Sequence, residues 1–261
     1  MNNIPKIIHY CWFGKKPHND LIIKCINSWK RYLPDYKIVE WNEDNFDINC
    51  NEYVKEAYIA KKYAFVSDYV RLYVLYNYGG IYMDTDVEVI RNLDVFLSHY
   101  AFSGFENDNY IPTAIMGSRE KNTWIKKLLD YYDYKHFQKD DGSYDLTTNV
   151  VTITNITQKE FGVSLNSEFF EINELLTIYP KEYFCPKSYE TGKILLTKNT
   201  YTIHHFNGSW LDEHKIKDRK NNYKIVSIFG EKLGWIIISV ITVYKKEGLY
   251  NVFNRIIKKL I

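Results

Sequence analysis

The stretch from Ala64 to Val89, AFVSDYVRLYVLYNYGGIYMDTDVEV, constrains the fold of this chain more than any other. Its apolar residues recur at three- and four-residue spacing, which predicts a helix with one buried face. Gly79 stands where a helix needs a residue in the left-handed conformation, and Gly80 lets the chain reverse sharply. A short strand over Ile81–Met83 should follow, so the stretch predicts a helix, a glycine turn and a strand.

Two carboxylates, Asp84 and Asp86, come directly after that predicted strand. Because side chains alternate along a strand, both should leave it on the same side. They would repel each other unless a cation lay between them, and Mg²⁺ or Mn²⁺ prefers such oxygen ligands. A bare Asp-x-Asp is more often a solvated acidic turn, so the surrounding sequence has to decide.

The order of the other predicted elements favours an α/β fold. A strand over 4–10, a helix over 21–32, a strand over 36–41 and a helix over 52–62 lead into the opening stretch, the pattern of a largely parallel sheet. Further strands are expected over 101–105, 111–116, 168–179 and 193–203. The carboxyl end of such a sheet is where ligands bind.

Composition limits the function classes. The chain has 261 residues and a formal net charge of +2, whereas a general nucleic-acid binder should be markedly basic. Its four cysteines are scattered, which indicates reduced thiols rather than a disulfide framework or a zinc site. The first residues, MNNIPKIIHYCWFG, lack the pattern of a signal peptide, so a cytoplasmic protein is expected.

Three other stretches carry candidate site residues. The first strand runs into a turn that contains Tyr10 and Trp12, and Trp12 either stacks on a nucleobase or packs in the core. Asn149 is either a polar group beside a ligand or the N-cap of the next helix. Late in the chain, YTIHHFNGSW places His204 and His205 before Gly208, and histidine is a plausible Mn²⁺ ligand.

The run SDYVRLYVLYNYGGIYMDTD resembles the signature of the family 32 glycosyltransferases, which include capsular-polysaccharide transferases and fungal α-mannosyltransferases. It is more distantly similar to the glucosyltransferase domains of large clostridial toxins. In those relatives Asp-x-Asp holds Mn²⁺ against the diphosphate of a nucleotide sugar. The resemblance extends to the first strand, where it implies that Trp12 lies against uracil. It also extends to His-Phe-x-Gly, where it points to His205 as a metal or phosphate ligand, with His204 as the runner-up.

The resemblance implies a GT-A-like fold, and together with the residue types and their positions it leads to the following expected site residues. The catalytic set is Asp84, Asp86, Arg71 and Asn149. The metal, Mn²⁺ or Mg²⁺, would be held by Asp84, Asp86 and His205. The donor, a UDP-hexose or UDP-N-acetylhexosamine, would contact Trp12, Tyr10, Asp68, Arg71, Tyr82, Asp84, Gly208, Ser209 and Trp210. Family members often carry Thr-Gly-Pro where this chain has Thr148-Asn149-Val150, which is a departure from the pattern.

The expected activity is transfer of a hexosyl residue to an oligosaccharide or lipid-linked glycan acceptor in surface polysaccharide synthesis, with retention of configuration. Asp68 and Arg71 would orient donor hydroxyls, because a carboxylate and a forked guanidinium both bind polyols. The alternative for this pair is a helix-surface ion pair worth under about 1 kcal/mol. An inactive sugar-nucleotide-binding scaffold remains an alternative function, and a phosphatase that uses Asp84 and Asp86 is a weaker one.

The predicted domain division places the catalytic domain at 1–215, with a nucleotide-binding half at 1–133 and an acceptor-side half at 134–215. Residues 216–261 form C-terminal helices. The apolar run 234–244 is shorter than the ~20 residues that a membrane span requires. The basic amphipathic pattern that follows it suits the anionic inner face of a membrane, or a helix packed on the domain or on a second copy.

Overall fold

The computed structural model describes residues 4–111, 114–208 and 213–260. The strands follow one another along the chain as β1 (Ile7–Cys11), β2 (Lys37–Trp41), β3 (Gly80–Met83), β4 (Val87–Val89), β5 (Ala101–Gly104), β6 (Ile115–Ser118), β7 (Phe170–Ile172), β8 (Leu176–Tyr179) and β9 (Thr202–His204). The helices are α1 (Asp20–Tyr32), α2 (Glu52–Ile59), α3 (Tyr63–Tyr78), α4 (Thr123–Asp130), α5 (Asn149–Phe161), α6 (Lys181–Phe184) and α7 (Glu213–Leu260).

A seven-stranded sheet with the strand order β2-β1-β3-β6-β5-β8-β7 forms the centre of the fold. The pairs β1–β2, β1–β3 and β5–β8 are parallel, whereas β6 and β7 run against their neighbours. Most strands therefore point in one direction. The predicted α/β class, with a mostly parallel sheet and a helical C-terminal part, is confirmed.

The sheet has a topological switch point at β1. The chain leaves β1 through α1 to β2 on one side, and it returns through α2 and α3 to β3 on the other side. In open α/β sheets, ligands bind in the crevice at the carboxyl ends of the strands beside such a point. The segments that follow β1, β2 and β3 are therefore the place where a ligand is expected.

Helices cover both faces of the sheet. One apolar cluster joins the sheet to α2, α3, α4 and α5, and a second joins it to α1 and α6. Tyr82 of β3 belongs to the first cluster, whereas Ile81 and Met83 belong to the second, as alternation along a strand requires. Since β3 is buried on both faces, the position of Asp84 just after it is well fixed.

The turn between α3 and β3 is held by His9 of β1. The Trp41 Nε1–H donates to His9 Nδ1 at 3.0 Å, and so the His9 Nε2–H donates to the Gly79 carbonyl oxygen at 2.8 Å. Burial lowers the pKa of His9 to about 4, which keeps the ring neutral. Gly80 has φ +100°, and a Cβ there would lie 2.7 Å from the Ile7 carbonyl oxygen.

Replacing Gly80 with Ala should destabilise the fold by at least about 2 kcal/mol. Left-handed backbone strain of about 1–2 kcal/mol adds to the steric clash between the new Cβ and the Ile7 carbonyl oxygen. Gly142 is a matched control. It has φ +80°, but no heavy atom of the described residues lies within 4 Å of the point that a Cβ would take, so Gly142→Ala meets backbone strain alone. Urea unfolding of both variants measures the difference. Equal losses in the two would contradict a close approach at Gly80.

Two strand predictions need correction. The stretch 193–203 is strand only at Thr202–His204, because the residues before it form turns and loop. The stretch 168–179 is two antiparallel strands, β7 and β8, joined by a tight turn. Of the predicted strand 111–116, residues 112 and 113 lie outside the described residues, and β6 begins at Ile115.

The chain divides into two units. The first comprises 1–187 and 195–206, and the second comprises 188–194 and 207–261. The boundary at 215 stays a prediction, and the loop 188–194 groups with the C-terminal residues in the second unit. Within the second unit, the Tyr223 hydroxyl donates to the Tyr189 carbonyl oxygen at 2.8 Å, which ties this loop to α7.

Helix α7 folds back on itself at Gly230. Gly230 has φ +74°, and a Cβ added at Gly234 would lie 2.9 Å from Val226 Cα. The Lys245 Nζ lies 2.8 Å from Asp218 Oδ1, although a straight helix would separate these residues by about 40 Å. The described part of α7 is therefore a helical hairpin with Gly234 at the close contact between its arms.

Candidate functional site

Asp84 and Asp86 lie in a tight turn between β3 and β4. The Val87 N–H donates to the Asp84 carbonyl oxygen at 3.0 Å, and the Asp84 N–H donates to the Ala114 carbonyl oxygen at 2.8 Å. Asp86 is buried and Asp84 is half-buried. The pair is thus an acidic turn, but not a solvated one.

The pairing of β4 with β9 brings His204 to this turn. Val87 and His204 are partners in the antiparallel register, and His204 Nε2 lies 3.5 Å from Asp86 Oδ1. One ligand atom from each of Asp84, Asp86 and His204 lies within 4.8 Å of the other two. Two carboxylates and one imidazole therefore converge on one point.

His205, the histidine assigned to the metal from the sequence, points elsewhere. Its Nε2 lies 2.8 Å from Glu88 Oε2, and Glu88 also accepts from Lys24 Nζ at 2.7 Å. Adjacent residues of a strand point to opposite faces, so the two histidines cannot both face the turn. The structure brings the runner-up, His204, to Asp86.

The Asp84–Asp86–His204 cluster fits a divalent cation. Oxygen and imidazole donors suit Mn²⁺, and the buried His204 Nδ1 completes no hydrogen bond of good geometry within the part of the chain that the structure describes. Burial alone would lower the pKa of His204, but the Asp86 carboxylate raises it well above the usual value.

Replacing His204 with Ala should lower the rate of the sugar transfer expected from the sequence at least 100-fold, because the cluster loses its nitrogen donor. Replacing the adjacent His205 with Ala removes only the bond to Glu88 and should cost less than about five-fold. Initial rates at fixed Mn²⁺, with melting temperatures measured in parallel, test this pair. A larger loss in His205→Ala than in His204→Ala would reverse the assignment.

Arg71 of α3 links the acidic turn to Asp68. Its Nη2 lies 3.1 Å from Asp68 Oδ1 and 3.4 Å from Asp84 Oδ1, and its guanidinium lies over the Tyr82 ring at 4.7 Å. The Tyr82 hydroxyl donates to Asp84 Oδ1 at 2.9 Å. Arg71 and Asp68 are both buried, so they are not the surface ion pair that the sequence left open.

Asp68 and Asn149 extend this buried polar group. Burial raises the pKa of Asp68 to about 7, and the Arg71 guanidinium and the nearby Asn149 amide oppose that rise. Asn149 is the first residue of α5, so it follows the N-cap, Thr148, rather than forming it. It is 4% exposed, and its Nδ2 completes no hydrogen bond of good geometry among the described residues. This amide therefore has donor capacity left for a ligand.

A pocket of about 280 Å³ lies beyond the ends of β1 and β2. It is lined by Trp12, Lys15, Lys16, Pro17, His18, Glu40, Asn42, Glu43 and Asp44. The Trp12 Nε1–H donates to the Lys16 carbonyl oxygen at 2.5 Å, which fixes the indole at the pocket wall. Trp12 is half-buried, since it lines the pocket and also packs against the second apolar cluster.

Tyr10 contacts the wall of this pocket at Glu40. Its hydroxyl donates to Glu40 Oε2 at 2.6 Å, and its ring packs edge-on against Trp29 at 5.4 Å. Burial raises the pKa of Tyr10 above its usual value, so the phenol remains a donor. Tyr10 is buried and thus positions the pocket wall at Glu40.

The pocket and the acidic cluster share one edge of the sheet. Trp12 follows β1, the loop 42–44 follows β2 and Asp84 follows β3, and these three strands are parallel neighbours. Neighbouring strands lie about 5 Å apart. A ligand with a flat ring in the pocket could therefore reach the cluster with a polar chain one strand away.

Three predicted donor contacts cannot be placed in this group. Ser209 and Trp210 lie outside the described residues, and Gly208, with φ +67°, belongs to the second unit. Conversely, the sequence did not single out His18 or Glu40 of the pocket wall. Neither belongs to a motif, and only the fold brings them to Trp12.

The family comparison matches residues 19–103, which span α1 to β5 and include the acidic turn. The matched family is described as "Glycosyltransferase sugar-binding region containing DXD motif". The match covers about a third of this chain. Asp84-Thr85-Asp86 is its Asp-x-Asp.

Curated proteins from two yeasts are similar to part of this chain. The Schizosaccharomyces pombe "Inositol phosphoceramide mannosyltransferase 3" is 32% identical over 48% of this chain and 36% of its own length. The Saccharomyces cerevisiae "Mannosyl phosphorylinositol ceramide synthase SUR1" is 28% identical over 52% of this chain and 36% of its own length. The match thus spans about a third of the length of these relatives.

Two solved glycosyltransferases align with part of this chain at TM-scores below 0.5. The "PaToxG Glycosyltransferase" aligns with a TM-score of 0.48 and 20% identity, over 62% of this chain and 71% of its own. A glycosyltransferase "involved in the glycosylation of the major capsid of PBCV-1" aligns with a TM-score of 0.45 and 11% identity, over 84% of this chain and all of its own.

Proposed function

We propose that this protein is a metal-dependent glycosyltransferase that moves a hexosyl residue from a nucleotide sugar to an acceptor hydroxyl. The observation that carries the proposal is the convergence of Asp84, Asp86 and His204 at the carboxyl edge of β3, beside the switch point of the sheet. The glycosyltransferase sugar-binding region at 19–103 and the mannosyltransferase relatives support it.

The acidic cluster and the pocket have different roles in the proposed reaction. A bound divalent cation would supply charge neutralisation at the leaving diphosphate. Asp84, Asp86 and His204 would hold that cation, and Trp12 would stack on the base in the pocket. Arg71, Asp68 and Asn149 are buried polar groups next to the cluster, so they suit the hydroxyls of the donor sugar.

The finer assignments belong to this proposal. The cation is Mn²⁺ or Mg²⁺, and the donor is a UDP-hexose or UDP-N-acetylhexosamine, as the resemblance to family 32 implies. Transfer proceeds with retention, in the cytoplasm, for a capsular or other surface polysaccharide. The names of the yeast relatives refer to inositol phosphoceramide, which supports a lipid-linked acceptor as well as an oligosaccharide.

A thermal-shift screen of UDP-, GDP- and other nucleotide sugars, each with and without Mn²⁺, tests the donor class. A ligand that binds only the native state stabilises it by about 2.7 kcal/mol at a hundred-fold excess over its Kd, so the true donor should raise the melting temperature by several degrees, and only with the metal. Absence of a metal-dependent shift with every nucleotide would contradict the proposal. Hydrolysis of the binding donor then separates an enzyme from an inactive scaffold.

A further inference from the structure

The hairpin of α7 carries an exposed apolar tip. Ile228 and Phe229 precede the turn at Gly230, and Leu233, Trp235 and Ile236 follow it. All five side chains are exposed, with Ile228 at 72% and Ile236 at 54%. The contact between the arms buries Val226, Gly234 and Ile238 instead. The hairpin therefore uses one set of residues for its own packing and presents another set outward.

The hairpin of α7 does not provide a single apolar helix long enough to cross a bilayer. By length and composition, His214–Lys245 could span a membrane, with an 18-residue window of mean hydropathy 1.7. The reversal at Gly230 divides that stretch, however, and the uncharged run from Leu233 to Tyr244 is about 18 Å long, against a hydrocarbon core of about 30 Å. A hairpin of this size suits the interfacial region of one leaflet.

The charge of the same segment favours an anionic lipid surface. Residues 213–261 contain eleven Lys and Arg and four Asp and Glu, a net charge of +7, whereas the whole chain carries +2. The remaining 212 residues are therefore acidic, with a net charge of −5. Two copies that meet through such a segment would bring like charges together, but anionic headgroups would neutralise them.

We propose that the α7 hairpin is a membrane-docking element whose apolar tip enters one leaflet of an anionic bilayer. The tip supplies apolar burial, and the basic residues of the arms supply attraction to the headgroups. The proposal rests on the second unit alone, so it stands or falls separately from the sugar-transfer chemistry.

Co-sedimentation of the full chain with phosphatidylcholine vesicles, with and without phosphatidylglycerol, tests this proposal. The protein should pellet with the anionic vesicles, and Ile228→Ser combined with Ile236→Ser should lower the partition coefficient about ten-fold or more. Ile59→Ser combined with Val95→Ser is the matched control, because Ile59 and Val95 are 70% and 60% exposed on the first unit. That control should bind like the wild type.

Quenching by lipids with brominated acyl chains separates insertion from surface adsorption. Tryptophan fluorescence of the wild type should be quenched, and Trp235→Phe should lose most of that quenching, because Trp235 lies at the tip. Four outcomes would overturn the proposal. In the first two, the wild type is absent from the vesicle pellet, or the variant with Ile228→Ser and Ile236→Ser binds vesicles as strongly as the wild type does. In the other two, the control variant loses as much binding as that variant, or the wild type forms a dimer that Ile228→Ser and Ile236→Ser abolish while no vesicle binding occurs.

Discussion

Asp86→Asn should lower sugar transfer by about 150- to 1,000-fold while the fold remains intact. Asp86 offers the most buried carboxylate of the proposed metal cluster, and it is also the partner of His204. A neutral amide removes the charge that holds a divalent cation but keeps nearly the same volume. Loss of charge stabilisation at a leaving group costs about 3–4 kcal/mol in comparable electrostatic sites, which corresponds to this factor.

Glu88→Gln is the matched control for that prediction. Glu88 lies two residues further along the chain, but it pairs with Lys24 and His205 instead of the cluster. Its loss should reduce the rate less than about five-fold. Initial rates with Mn²⁺ present, at a temperature where both variants are folded, give the comparison. Near-normal transfer by Asp86→Asn would refute the metal assignment.

Arg71→Met should destabilise the fold by about 3–5 kcal/mol and also reduce transfer at least 100-fold. Arg71 is 5% exposed and lies between Asp68 and Asp84. Its removal leaves the buried Asp68 and the half-buried Asp84 without their cation, and breaking a buried ion pair from one side costs about this amount. The unfolding free energy in urea measures the first effect, and rates below the lowered melting temperature measure the second.

Arg119, which is half-buried, provides a control whose guanidinium also lies over a tyrosine ring. Its guanidinium lies over the Tyr100 ring at 3.9 Å, and it donates to the carbonyl oxygens of Ser98 and His99. It has no carboxylate among these contacts, so Arg119→Met should cost only about 1–2 kcal/mol. Equal destabilisation by the two variants would mean that Arg71 contributes packing and hydrogen bonds rather than charge compensation.

Much of the fold could be predicted from local sequence. The periodicity of α3, the glycine pair after it and the apolar β3 were sufficient to place Asp84 at a strand end. The alternation of strands and helices up to β3 was sufficient for the parallel part of the sheet. The antiparallel strands β6 and β7 were not predictable in this way, because pairing direction depends on contacts between distant segments.

The candidate site was less predictable, since it depends on register. His204 and His205 are chemically equivalent in the sequence, and only the pairing of Val87 with His204 decides which ring meets Asp86. The wall of the pocket has the same origin, because Glu40 and His18 reach Trp12 through the fold. The hairpin of α7 was not predictable either, since the reversal at Gly230 depends on contacts between its two arms.

The measurement that tests the central claim most directly is a Mn²⁺ titration followed by electron paramagnetic resonance, in the presence of a nucleoside diphosphate. If Asp84, Asp86 and His204 form the metal site, the wild type and His205→Ala should each bind about one Mn²⁺ per chain, and Asp86→Asn and His204→Ala should bind at least ten-fold more weakly. Undiminished Mn²⁺ binding by Asp86→Asn would contradict the account.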